Sequence, residues 1–110
     1  MLNQVILVGR LVSNPTLRKL EDGRTQTVIS LEIKKHPNII IEGERDSDTI
    51  PCTLWSGIAE QTVEYCKEGS TIGVKARLAE KEVTLENGDL LIYPEVVAEK
   101  ITFINTKEAE

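Results

Sequence analysis

A period of two runs through this chain and is broken once. Ile29, Leu31 and Ile33 alternate with Ser30, Glu32 and Lys34, and Ile72, Val74, Ala76 and Leu78 alternate with Gly73, Lys75 and Arg77. Alternation puts one set of side chains on a buried face and the other in water, the mark of a half-buried β-strand. Residues 4–11 (QVILVGRL) are rich in branched aliphatics and too short for a typical helix, so they read as an opening strand, with Gly9 marking a bulge or a sharp bend. Asn14-Pro15 makes a turn, 16–20 resume as a short strand, and Asp22-Gly23 signal a tight hairpin into a long strand over 25–34. Residues 36–48, with Pro37, Gly43 and five charges, read as an exposed loop in which Ile39, Ile40 and Ile41 either pack back on the domain or meet a second subunit.

Residues 49–55 form a third strand. The break in the period follows: over 56–67, Ile58, Thr62, Tyr65 and Cys66 fall at helical spacing, Glu60 sits near the start, and Gly69 suits a C-terminal cap. A fourth strand over 71–81, a hairpin of 82–85 and 90–93 around Asn87-Gly88, and a last strand over 95–104 complete the order. Three strands, one helix, then two or more strands match an all-β domain with one helix: the OB-fold, a five-stranded Greek-key barrel with the helix between strands 3 and 4, here with an extended β-hairpin. The domain is expected over 1–105, with 106–110 as a short disordered end.

At 110 residues there is room for one domain only, and its small core would gain from oligomerisation. Lys and Arg number 13 against 18 Asp and Glu, a net charge of -5, so any polyanion must be met by a local basic surface and not by the whole-protein field. The opening residues lack the charged region and cleavage site of a secretory leader, and no apolar run nears the ~20 residues of a membrane span. Cys52 and Cys66 match no metal or redox spacing and read as small buried hydrophobes. A reduced, cytoplasmic protein with no membrane contact is expected. Catalysis is not: His36 stands alone, Glu80 and Glu82 lack a pocket signal, and no glycine-rich phosphate loop is present. No cofactor or metal is expected.

Several segments, in order, resemble the bacterial single-stranded DNA-binding proteins. They are residues 3–11 (NQVILVGRL), Asn14-Pro15 followed by Leu17-Arg18, residues 28–31 (VISL), CTLW at 52–55 with Ile58-Ala59-Glu60, Tyr65 with KEGS at 67–70, residues 74–78, and Glu95-Val96. The resemblance covers about 3–104 and implies sequence-tolerant binding of single-stranded DNA in replication, repair or recombination, without catalysis. It also implies a homotetramer built from two dimers, with the apolar strand at 3–8 as the dimer seam. The chain departs from the family where aromatics usually stack on bases: it has His36-Pro37 after the second strand and Val83 in the hairpin. The acidic, Pro-Phe-bearing tip by which the family recruits replication and recombination proteins has no counterpart here, which implies a short, divergent member without the acidic C-terminal tail.

Trp55 keeps a family stacking position. On its strand it shares a face with Thr53 and Pro51, opposite Cys52 and Leu54, so it points outward, either as a base-stacking platform or packed on the helix or a partner subunit. Lys75 and Arg77 lie on the outward face of the fourth strand, Lys34 and Lys35 end the second, Arg10 and Arg18 flank the first turn, and Lys81 begins the hairpin. Together they are expected to track a phosphate backbone along strands two to four and the 80–91 hairpin, although each alone is equally an ordinary solvated cation. A competing reading is an OB module for protein contact, similar to primosomal replication protein N, with weak nucleic-acid binding. A phage or mobile-element version of the family is a third.

Overall fold

A computed structural model describes residues 1–106. The strands are β1 (Val5–Leu11), β2 (Arg18–Lys19), β3 (Thr25–Lys34), β4 (Ser47–Trp55), β5 (Thr71–Thr84) and β6 (Leu90–Asn105), with the helix α1 (Ile58–Tyr65) between β4 and β5. β1 pairs with β5, β5 with β6, β6 with β4, and β4 with β3. The ring closes where the end of β1 turns onto β3, Arg10 facing Glu32 and Leu11 facing Leu31. β4 and β6 meet in parallel at Thr53 and Val97, and the other ladders of the ring are antiparallel. Five strands thus form the expected OB barrel, and the two-residue β2 is an appendage on β3.

The alternation read in the sequence faces inward as expected over most of its length. Ile29 and Leu31 of β3, Cys52 and Leu54 of β4, and Ile72, Val74 and Ala76 of β5 are buried in one core, which Ala59 of α1 joins. Leu78 departs from the pattern and is 43% exposed. β5 shifts register between Lys75 and Ala76 and then runs out of the barrel, so the fourth strand, the hairpin and the last strand are two long continuous strands. Their arm ends in the loop Glu86-Asn87-Gly88, where Leu85 N–H donates to Asp89 O at 2.8 Å and Gly88 sits at φ 89°. A positive φ here is what glycine supplies at no steric cost.

α1 is shorter than the 56–67 expected. Gly57, at φ 92°, holds the chain out of the helix until Ile58, and Ser56 is spent on β3, its Oγ accepting from Thr25 N–H at 2.9 Å. Glu60 Oε1 accepts from Gly57 N–H at 2.8 Å, a bond that holds this carboxyl below its ordinary pKa. At the other end Cys66 turns extended and tucks into the core. Gly69 is therefore not the helix cap; it lies in the turn into β5, its N–H donating to Leu11 O at 2.9 Å. The loop after β3 ends sooner than the 36–48 expected, since β4 begins at Ser47, and a single 3-10 turn covers Pro37–Ile39. Ile39, Ile40 and Ile41 do not pack back on the barrel and are exposed. Of the end expected to be disordered, 107–110 lie outside the described residues. Among the described residues no helix is long and apolar enough to cross a membrane.

Both cysteines are free and buried. Burial pushes the Cys52 thiol from 9.0 up to about 11 and raises Cys66 as well. The unfolded chain ionises near 9 while the folded one holds its proton, so this contribution to stability is whole below pH 9 and is lost as pH rises toward 11. At pH 8 the native protein should react with iodoacetamide far more slowly than the chain in denaturant, since the folded thiolate fraction of Cys52 is about 100-fold smaller. Fast stoichiometric alkylation of the native protein, counted by mass spectrometry, would refute this.

Candidate nucleic-acid interface

The outward face of the β3–β4 ladder is built by register. Gln26 faces Trp55, Val28 faces Thr53, and Ser30 faces Pro51. Beside it rises the base of the hairpin, where Lys81 faces Tyr93 and Ala79 faces Glu95. Between the two lies a groove of about 420 Å³. Val28, Ile50, Pro51, Pro94 and Val96 give it an apolar lining, and Arg18 and Lys81 supply its cations. Tyr93, 41% exposed, is its aromatic. Thr53 was expected outward with Trp55, yet it is only 4% exposed, because β6 reaches it and Thr53 Oγ1 donates to Glu95 Oε2 at 2.8 Å. Glu95 is thereby fixed inside the groove, where it places a negative charge among the cations.

Of the eight residues expected to form one surface, the structure brings only Arg18 and Lys81 into this groove. Trp55 stands next to it, one residue pair beyond Val28 and Thr53 on the same face. It is half-buried, and the Arg24 guanidinium carbon lies 4.6 Å from its ring centroid. Arg10 pairs with Glu32 at 2.9 Å at the β1–β3 seam, where Lys34 lines the same recess. Lys35 is engaged by Glu44 at 3.5 Å and Asp48 at 3.9 Å, its side chain only 16% exposed. Lys75 faces Ile6 of β1 and Lys100 of β6, on another part of the barrel wall. Arg77 is exposed on β5, level with Val97. Arg18, Lys34, Lys75, Arg77 and Lys81 form no ion pair among the described residues, whereas Arg10 and Lys35 are locally neutralised.

Sequence reasoning missed Tyr93, Glu95 and Arg24. The first was missed by one position: a two-residue turn at Asn87-Gly88 counts Lys81 opposite Pro94, whereas the three-residue loop Glu86-Asn87-Gly88 sets it opposite Tyr93. Arg24 carried no such signal, since its place over Trp55 depends on the β3–β4 pairing across a long loop. No group of His, Cys, Asp and Glu suited to a metal ion occurs among the described residues.

Comparison with known proteins agrees with this architecture. Residues 2–104 match the model of the single-strand binding protein family. The chain is 36% identical over 110 residues to single-stranded DNA-binding protein B of Bacillus subtilis, spanning all of this chain and 96% of that protein. It is 34% identical over 110 residues to a single-stranded DNA-binding protein of Oceanobacillus iheyensis, again along all of this chain but only 68% of the relative. It is 30% identical over 108 residues to single-stranded DNA-binding protein 1 of Clostridium acetobutylicum, covering 97% of each. A match along almost the whole barrel, to the family model and to full-length relatives alike, shows that the chain belongs to the single-strand binding protein family.

Proposed function

We propose that the chain binds single-stranded DNA, with little regard to sequence and without catalysis, in the groove between the β3–β4 face and the base of the hairpin. The observation that carries this is the groove itself, with an apolar lining and Tyr93 for bases and Arg18 and Lys81 for phosphates. Family membership supports a place in replication, repair or recombination in the cytoplasm, with replication or recombination proteins as partners. Titration with oligo-dT at low and moderate salt tests the reading through the fluorescence of the single Trp. Saturable quenching is expected. Feeble binding at every salt concentration would favour a protein-contact module instead, a reading supported by Leu85, Leu90, Leu91 and Ile92, which leave the hairpin arm apolar and exposed.

The split of the cations makes a sharper prediction. Each phosphate neutralised on a single strand contributes about 0.7 to the slope of log affinity against log salt. Arg18→Ala and Lys81→Ala should each flatten the slope by about 0.7, while Lys75→Ala should leave it as in the wild type. Equal flattening by all three would spread the phosphate path over the whole barrel.

Self-assembly through β1 belongs to the same proposal. β1 pairs with β5 along Val5–Arg10 but with β3 only at Arg10 and Leu11, so one edge of its first five residues is unpaired among the described residues. An unpaired edge is a template for a second strand. Ile6 and Val8 beside it are exposed, and the Asn3 side chain bonds to both Leu78 N–H and Leu78 O at 2.8 Å, fixing the strand's start. Light scattering at micromolar concentration should give a tetramer mass, and a monomer mass would refute the seam.

A further inference from the structure

We propose that Arg24 is a displaceable cap on Trp55: in the free protein its guanidinium covers the indole and is tethered there by Asp22, and an incoming base takes its place on the ring while Arg24 moves to a phosphate. The inference rests on the single-stranded DNA reading above. Three observations converge on it. The Arg24 guanidinium carbon is 4.6 Å from the Trp55 ring centroid. Arg24 Nε donates to Asp22 Oδ2 at 2.7 Å, and Arg24 N–H donates to Asp22 Oδ1 at 3.0 Å. The groove reaches Gln26 and Thr53, the cross-strand and same-strand neighbours of Trp55, yet Trp55 itself does not line it.

The exchange needs only a side chain to move. Arg24 O accepts from Leu20 N–H at 2.8 Å across the Glu21-Asp22-Gly23 loop, so the backbone stays fixed while the guanidinium swings. A cation resting on a half-buried surface ring is held weakly, whereas a base stacked on indole gains more contact with the same surface. The guanidinium exchanges one anion for another, carboxylate for phosphate, and its planar fork suits both. The Arg24 backbone N–H, and after it the guanidinium, hold the Asp22 carboxyl below its usual range. Both halves of the exchange need the same ligand, a flexible polyanion carrying free base faces. A duplex offers phosphates but keeps its base faces stacked inside, so it cannot lift the cap, and the device discriminates for single strands.

Two variants test this by acrylamide quenching of free Trp55 and by the salt dependence of oligo-dT binding. Arg24→Ala should make Trp55 more accessible to acrylamide and flatten the salt slope by about 0.7, one phosphate contact. Asp22→Asn should also uncover Trp55, because the tether is cut, while keeping the wild-type slope, because Arg24 remains to meet a phosphate. Unchanged acrylamide quenching in Arg24→Ala, or an unchanged slope, would overturn the cap. If oligo-dT fails to bind the wild type at all, the single-stranded DNA reading falls and takes the cap with it. If the wild type binds normally and only the variants disagree, the cap alone is wrong.

Discussion

Replacing Trp55 by Ala should weaken oligo-dT binding by ~1–3 kcal/mol, about 5- to 150-fold, and replacing Tyr93 should cost a similar amount. The two rings are fixed in different ways. Trp55 sits on β4 beside the groove under Arg24, and Tyr93 sits on β6 inside the groove opposite Lys81. If each stacks a separate base, the double variant should lose the sum of the single effects to within ~0.5 kcal/mol, for a total of ~2–6 kcal/mol. Neither ring belongs to the buried core, so the far-ultraviolet circular dichroism spectrum and melting temperature should stay near those of the wild type. The readout for Trp55→Ala must be anisotropy of labelled DNA, because the fluorophore is gone. Wild-type affinity in the double variant would mean that the groove stacks no base on either ring, and the site would have to be sought elsewhere on the barrel.

The barrel was legible in the sequence because a period of two is a local signal. Ile29 and Leu31, Cys52 and Leu54, and Ile72, Val74 and Ala76 each declare a face within a few residues, and all of them are in the core. The site was less legible because it is made by pairings that join distant parts of the chain. Arg18 and Lys81 meet across the groove only because β4 and β6 touch at Thr53 and Val97. Glu32, Glu44 and Asp48 neutralise Arg10 and Lys35 through geometry that no count of charges contains. Thr53 shows the limit of alternation: its phase says outward, yet a neighbouring strand covers it and its hydroxyl donates to Glu95 of that strand. The missing aromatics at His36-Pro37 and Val83 are real absences in the sequence, but Tyr93 supplies a ring to the same hairpin by way of the opposite strand.

Gly9→Val should lower stability by roughly 2–4 kcal/mol and Gly9→Ala by roughly 1–3, with the barrel opening at the β1–β3 seam. The sequence marked Gly9 as a bulge or a bend. The β1–β5 register runs through it unbroken from Val5 to Arg10, so it is no bulge. It lies just before the point where β1, still paired with β5, closes onto β3, and the β1 and β3 backbones approach there without room for a side chain. A Cβ on Gly9 would lie 2.7 Å from Glu32 O, 2.9 Å from Ile33 Cγ1 and 3.2 Å from Leu31 Cβ. The first contact is to backbone oxygen, which cannot swing aside as a flexible side chain would. The added atom must therefore push β1 off β3, stretching the seam that places Arg10 opposite Glu32 and Leu11 opposite Leu31. A strained core contact costs ~1–3 kcal/mol and a lost backbone hydrogen bond about 0.5–1.5 more. For a domain of this size each kcal/mol moves the melting temperature by roughly 4–8 °C, so Gly9→Val should melt at least ~8 °C below the wild type. Gly73 provides the control. It also lies within a barrel strand, yet the nearest atom to its added Cβ, Thr102 Cβ, is 3.7 Å away, an ordinary contact. Gly73→Ala should be neutral or stabilise by about 0.4–1 kcal/mol through the less flexible unfolded chain. Thermal melts of the three variants side by side decide the matter. Similar melting temperatures for Gly9→Ala and Gly73→Ala would show that the close approach at Gly9 does not hold the barrel shut.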